Sequence, residues 1–535
     1  MLNFRPWYRK VVLLGFALLA TGSFYRSRPA EQDASRQAQS LLQSISVQNR
    51  TINTKSYLDQ AWETKIRAGF TANSGFAWDP ASHEWRIATK LPEDAQRAIA
   101  HYASWTAVPA RVALNTAQAY HELDRLDELA KFYSLFLQTY FTTLKNMRAA
   151  PDAKQKLLGP ETGPDSARTM VWYVKQPDGS FLLRECYLCN ADYFFPTARL
   201  VRAIAGLKGS ERTPAMKQFV AAYVPLLARE HALRLNFAQR MQEDMTPGNP
   251  AYKKRIMIAD EILAVAVAAE LLGAHAQDPA FVLLSPDDIA QLKNLLAVGV
   301  ARFQFSRTTY KDAAGRTCAS YFNGDYDTSE DMNYARYEGE SFPSPSQKAP
   351  SQGASWDISH FNLIPMFLWC LHENKNASGI DFPQQADIDA FANQFVFHVF
   401  EGDYQKPLFR NFFDGTDGWY RVSYSGRANY GIAPSRFCSM FDTSHGCTTI
   451  SGIYSWGLLA SLNDGIARVQ LSLIDLAKSS DPTIACFDKQ CFRERYYRYA
   501  DASFSFLDSQ GQLQYSPALA VVLSELAWSF SARAN

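Results

Sequence analysis

Three stretches of the chain begin alike: TPAMKQFVAAYVPLL at Thr213, SPDDIAQLKNLLAVGVARF at Ser285 and SPALAVVLSELAWSF at Ser516. Each opens with a hydroxyl residue, then proline, then apolar residues at helical spacing. A Ser or Thr side chain satisfies an orphan first-turn N–H, and the N–H that proline lacks costs nothing at the first helical position. In the second stretch Ile289, Leu292, Leu296, Val300 and Phe303 fall on one face, and in ADIDAFANQFVFHVF Ile388, Phe391, Phe395 and Val399 do the same. Continuing this reading along the chain predicts helices near 54–68, 93–105, 109–146, 193–207, 214–235, 251–275, 286–303, 358–374, 384–400, 444–462, 464–477, 493–507 and 517–530. Pro365 inside 358–374 predicts a kink or early break. Short links, such as GLKGSERTP and ENKNASGIDFPQQ, join many of the helices in pairs. Paired helices must stack to bury their second faces, either as an open solenoid or as a closed ring. No fixed repeat period is present, which argues against the solenoid. Strand-like alternation is confined to fragments such as Thr169 to Cys186, which reads as a hairpin turned at Pro177-Asp178-Gly179.

The first residues carry Arg5, Arg9 and Lys10, then an apolar run from Val11 to Ala20, then small residues around Gly22. The run is short for a membrane span, which needs about 20 residues, and reads as a signal peptide, with an uncleaved anchor as the alternative. The expected organisation is a signal peptide or anchor over 1–22, a polar linker over 23–53 and a single domain over 54–535. Export, to the periplasm or the medium, changes the reading of the eight cysteines. Cys186 with Cys189, Cys438 with Cys447 and Cys486 with Cys491 are local pairs that favour disulfides in an oxidising compartment, leaving Cys318 and Cys370. A net charge of +1 and no run of Lys or Arg argue against a nucleic-acid partner.

Two long connections interrupt the helical pattern, Ser306 to Trp356 and Glu401 to Asp442, both rich in aromatic, acidic and Arg residues. Loops this long in a compact domain are usually functional or disordered, and this composition is unlike a disordered linker. Each ends in the same device, aromatic-Asp-x-Ser-His: Trp356 to His360 and Phe441 to His445. An Asp before a helix is a good N-cap, so the plain reading is helix punctuation. An Asp that caps also fixes the helix start, so His360 and His445 would be held rigidly at the loop-bearing rim. His is the residue best suited to exchange protons near neutral pH. A degenerate third copy, Glu330 to Ala335, puts Tyr334 in the place of the His.

Helical hairpins, an export signal and aromatic–acidic loops ending in Asp- and His-bearing helix starts resemble the (α/α)-toroid carbohydrate-active enzymes, over about residues 54–530. That group includes glycoside hydrolases, polysaccharide lyases and sugar epimerases. The resemblance implies an all-α fold, an (α/α)6-type toroid of stacked helical hairpins with long rim loops and at most a small β-hairpin. It is architectural: the Asn-Asn-His stretch of alginate lyases of this fold is absent, and no catalytic residue carries over by motif.

The candidates therefore come from the residues themselves. His360, His445 and Tyr334, oriented by Asp357 and Asp442, form the catalytic set. Asn333, Arg336, Glu338, Asp414, Trp419, Tyr420, Arg421 and Arg427 form the substrate-binding set. Proton-exchanging His and Tyr beside Arg suit β-elimination on a uronate, where charge develops on the sugar carboxylate. A glycoside hydrolase would instead draw a carboxylate pair from Asp331, Glu338, Asp357, Asp414 and Asp442. A third reading is an exported glycan-binding scaffold. The expected partner is a polysaccharide or oligosaccharide. No cofactor is called for; a divalent metal, calcium or zinc, on the Asp and His of the two helix starts is the competing reading, against which the capping role claims the same Asp oxygens.

Overall fold

The computed structural model describes residues 33–41, 43–47, 50–88, 106–141, 155–158, 171–175, 181–185, 187–233, 236–249, 252, 257–321, 333–339, 341–348, 355–423, 431–434, 446–447, 453–478 and 515–534. The described chain is mostly helical with a few short strands. The longer helices are α1 (Thr54–Ala61), α2 (Ala107–Tyr120), α3 (Leu123–Phe136), α4 (Tyr187–Ala205), α5 (Pro214–Pro225), α6 (Ala259–Gln277), α7 (Pro286–Ser306), α8 (Leu363–Glu373), α9 (Gln385–Gln394), α10 (Asp464–Lys478) and α11 (Pro517–Ala534).

The three hydroxyl–proline starts cap as read. Thr213 Oγ1 accepts from the Met216 N–H, Ser285 Oγ from Asp288 and Ser516 Oγ from Leu519. Asp288 returns the favour at Ser285, accepting its N–H to complete a capping box.

Helix α6 sets the packing. Every residue from Ala259 to Ala274 is buried, and a helix buried all round must be surrounded by others. It packs on α4, α7 and α8. Helix α4 also packs on α2, and α2 on α11; α11 packs on the 3-10 segment Tyr454–Leu459, which in turn packs on α8. Outside these, α3 lies on α2, α5 on α3 and α4, α10 on Tyr454–Leu459 and α11, and α1 on α11. Aliphatic and aromatic side chains from all of these helices join one continuous core.

Several expectations are corrected. The helix predicted over 109–146 divides at His121, whose backbone turns left-handed (φ +54°) and ends α2 before α3 begins. No glycine marks that stop, so the usual signal is missing. The helix predicted from 251 begins only at Ala259, and Phe237–Met245 forms a short helix that was not expected. The helix predicted over 358–374 does break, at Asn362, leaving Ile358–Phe361 ahead of α8. The helix predicted over 444–462 is replaced by a strand at Gly446–Cys447 and the 3-10 segment. The rest of that stretch, 444–445 and 448–452, lies outside the described residues.

The expectation of at most one hairpin also fails. Ser44–Val47 pairs with Arg50–Asn53, Phe76–Asp79 with Glu84–Ile87 and Thr308–Lys311 with Thr317–Ser320, all antiparallel. Four-residue strands are too short to display a period of two. The expected hairpin is present, Val171–Lys175 pairing with Phe181–Glu185, and Gln155–Leu158 adds a third, parallel strand; its turn lies outside the described residues. Within the stretch read as linker, residues 33–41 are helical, Ala38 is fully buried and Ser35 Oγ donates to Asp464.

Cys318 and Cys370 are free and buried, and no disulfide forms among the described residues. The side chains of the three local pairs lie outside them, as do residues 1–32 and the helices expected at 93–105 and 493–507. No helix among the described residues is long and apolar enough to cross a membrane.

The contact between α6 and α7 depends on Gly299, where a Cβ would lie 2.4 Å from Val265 Cγ2. Gly299→Ala gains up to ~1 kcal/mol of helix propensity but overpacks the contact, at a cost of about 1–3 kcal/mol. The expected outcome is a lower urea midpoint with an unchanged denaturant slope.

Candidate functional site

The segment Trp356–His360 is fixed from two sides. Asp357 is bridged to Phe412, the Ile358 N–H donates to the Asn411 carbonyl and the Phe413 N–H to the Trp356 carbonyl. Asp414 accepts from the Ser355 N–H (2.9 Å) and from the Thr416 N–H (2.8 Å), tying the loop after α9 to the start of the Asp-x-Ser-His element. Asp414, read as a substrate ligand, is therefore a loop fastener.

Asp357 does two jobs at once. Its Oδ1 accepts the His360 backbone N–H (3.1 Å) and its Oδ2 lies 2.7 Å from His360 Nδ1. The carboxylate is 3% exposed, so both oxygens are committed to one residue in a water-poor setting. This arrangement orients the ring and places the Nδ1 proton toward Asp357. Trp356 stacks on the imidazole, 5.5 Å between centroids and 7° between planes. Tyr420 Oη lies 3.3 Å from Nδ1, and Arg421 Nη2 donates to the Nε2 lone pair over 3.1 Å.

Tyr420 and Arg421 arrive from the second long loop. The Tyr420 backbone pairs with Ile432 in both directions, and Arg421 takes a left-handed backbone (φ +55°), as does Ser423 (φ +59°). Non-glycine residues held there store local strain of the kind that clusters at functional sites.

The other expected residues are placed differently. Tyr334 and Trp419 pack together in a small apolar cluster with Ala433, flanked by Tyr337, Phe342 and Val422. The Trp419 indole donates to the Gly339 carbonyl (2.8 Å). Neither reaches His360: the loop has its own core, and they form it. Asn333 is half-buried on the turn 333–336, and Arg336 and Glu338 are exposed. Asp331, Arg427, Asp442 and His445 lie outside the described residues. The backbone just after His445 is described: Gly446 pairs with Ile432, which pairs with Tyr420.

At the start of α8, where Leu363 follows His360 by three residues, lies a cavity of about 50 Å³, room for a few waters. Its lining comes from the first turns of α2, α6 and α8 and from α4: Arg111, Asp192, Arg199, Leu263, Leu363 and Met366 are the main contributors. The Asp192 carboxyl is pushed up to about 7 by burial, with Arg111 and His360 pulling the other way. Arg111 pairs with the fully buried Glu525 of α11 (3.2 Å). Burial lifts Glu525 to about 8 against the pull of Arg111 and Arg199. Arg199 is held by Asn115 (2.9 Å) and Gln118 (3.3 Å) of α2. Two carboxyls that keep their protons near neutrality thus stand among guanidinium groups, and one of them, Asp192, also feels the charge of His360.

Sequence reasoning missed Asp192, Arg111 and Glu525. The available signal was the acid Asp192 beside the apolar run YFFP, with Arg199 two turns on, since a carboxyl on a buried face needs a reason to be there. Comparisons with protein-family models, with curated proteins and with solved structures find no match.

An acid whose pKa is higher in the folded chain holds a proton that the unfolded chain has lost. Stability then falls as pH rises from about 4 to about 8, and levels off above. Asp192→Asn and Glu525→Gln are each expected to flatten that fall and to unfold at higher urea than the parent protein at pH 9. Urea midpoints at pH 5 and pH 9 check this; midpoints that shift in parallel at both pH values would contradict it.

Proposed function

We propose that this protein is an exported carbohydrate-active enzyme that cleaves an acidic, uronate-containing polysaccharide or oligosaccharide by β-elimination. The observation that carries the reading is the setting of His360: oriented by Asp357, stacked on Trp356, and faced by the Tyr420 hydroxyl and the Arg421 guanidinium. The architecture we propose is the α/α toroid, supported by the packing order α2–α4–α6–α8–(Tyr454–Leu459)–α11–α2, with α3, α5, α7, α9 and α10 as the outer partners. Export rests on the amino-terminal sequence alone.

In β-elimination a base removes the proton α to the uronate carboxylate, charge spreads onto that carboxylate, and the 4-oxygen leaves with a proton. The bond between C4 and the bridging oxygen breaks as a C4–C5 double bond forms. His360 Nε2 is the base. Arg421, which donates to that nitrogen in this structure, transfers its N–H to the incoming carboxylate and so uncovers the lone pair. Arg111 and the N-terminal ends of α2, α6 and α8 add positive potential on the same side. Tyr420 is the acid for the leaving oxygen.

The raised Asp192 favours one alternative, a glycoside hydrolase in which Asp192 is the general acid. Its second carboxylate would have to be other than Asp357, which holds His360 through both oxygens.

Digestion of uronate-containing and neutral polysaccharides separates these readings. A lyase raises ultraviolet absorbance through the unsaturated uronate, whereas a hydrolase yields only reducing ends. His360→Ala is expected to lower the elimination rate by about 10²–10⁴-fold with the far-UV circular dichroism unchanged. Glycan binding without either product would sink both enzyme readings.

A further inference from the structure

Away from His360, the hairpin Thr308–Lys311/Thr317–Ser320 turns through Asp312 and Gly315 and lies against the end of α9. Asn393 Nδ2 donates to the Thr317 carbonyl (2.9 Å) and Tyr310 Oη to Gln394 Oε1 (2.6 Å). At this junction three donor atoms of different chemistry converge. Asp312 Oδ2 is 3.3 Å from His398 Nε2 and 3.9 Å from Cys318 Sγ, and all three lie within 4.8 Å of one another.

These separations are close to the edges of a tetrahedral zinc site. With Zn–O and Zn–N near 2.0–2.1 Å and Zn–S near 2.3 Å, the O···N edge is about 3.4 Å and the O···S edge about 3.6 Å. The turn's backbone engages only one carboxylate oxygen: Asp312 Oδ1 takes the Ala314 and Arg316 N–H groups (2.9 Å each), which leaves Oδ2 to the side chains of Arg316, Cys318 and His398. Cys318 is wholly buried and the Asp312 carboxylate 3% exposed, while the His398 ring is 27% exposed. The pocket is thus closed on its inner side and open on one flank, where a water can complete the coordination.

We propose that Asp312, Cys318 and His398 bind a zinc ion that fastens this hairpin to the end of α9. On binding, the Cys318 thiol gives its proton to solvent and bonds as the thiolate, His398 bonds through its Nε2 lone pair, and Asp312 through Oδ2. One thiolate and one carboxylate neutralise the dication, so little net charge is buried. Arg316 occupies part of the site here, its Nε 2.6 Å from Oδ2. Its guanidinium already lies 3.6 Å over the Phe397 ring, which holds it when the metal takes the oxygen. The mixed sulfur, nitrogen and oxygen set selects zinc over calcium or magnesium, which take oxygen ligands. The site does not depend on the reading of His360 as catalytic.

The test uses the whole purified chain, equilibrated with zinc sulfate and freed of excess metal by gel filtration. The expected result is about one zinc per chain, kept by Cys370→Ser, in which the other buried thiol among the described residues is removed, and lost by Cys318→Ser and His398→Ala. Cobalt in place of zinc is expected to give a thiolate-to-cobalt absorption band in the parent protein. If either variant fails to fold, that band decides alone, since it needs no substitution. A metal-free parent protein, zinc retained by folded Cys318→Ser and His398→Ala, or no cobalt–thiolate band would overturn the proposal.

Discussion

The all-round burial of α6 is the constraint from which the rest follows. From Ala259 to Ala274 every residue is buried, so packing surface must be supplied on every side. Helices α4, α7 and α8 supply much of it. Bringing α4 and α8 against α6 also sets Asp192 and Leu363 on one cavity, and Leu363 is only three residues beyond His360. The cavity and the carboxyl on its wall are thus positioned by the demand of one helix for cover.

That demand explains how the charged groups beside it behave. Arg111, Arg199, Asp192 and Glu525 stand where helices meet and water is scarce. There, neutral carboxyls are cheaper than ionised ones, even with guanidinium groups at hand. Burial prevails over attraction at Asp192 and Glu525. The Asp357–His360 pair resolves the same problem differently, by giving each oxygen of a buried carboxylate its own donor.

Much of the helical frame was legible in the sequence, because capping and periodicity are local. Ser285 with Asp288, and Thr213 with Met216, need only their own first turns. The dual role of Asp357 was legible for the same reason, being contained within four residues. What escaped was decided at a distance or left no local mark. The stop at His121 uses a left-handed residue without glycine, and the four-residue strands pair too briefly to show a period. Tyr334 read as a catalytic group because it takes the place of His in a degenerate copy of the repeated element, and Trp419 as a substrate contact; the structure packs the two together in one apolar cluster. Asp192 escaped because its meaning lies in Arg111 and His360, remote in sequence.

The small cluster of Tyr334, Trp419 and Ala433 has a consequence for how such a protein can diversify. The loops carry an interior of their own, separate from the helical core. Other loop residues belong to the frame: Phe409, Phe412, Phe413 and Tyr420 join the helical core, and the Phe413 ring stacks on Phe361. A fold divided in this way can exchange loop residues, and with them the shape presented to a ligand, while the helices beneath keep their packing. Changes confined to Tyr334, Trp419 and Ala433 would then repack a loop without touching the side chains that hold the helices together.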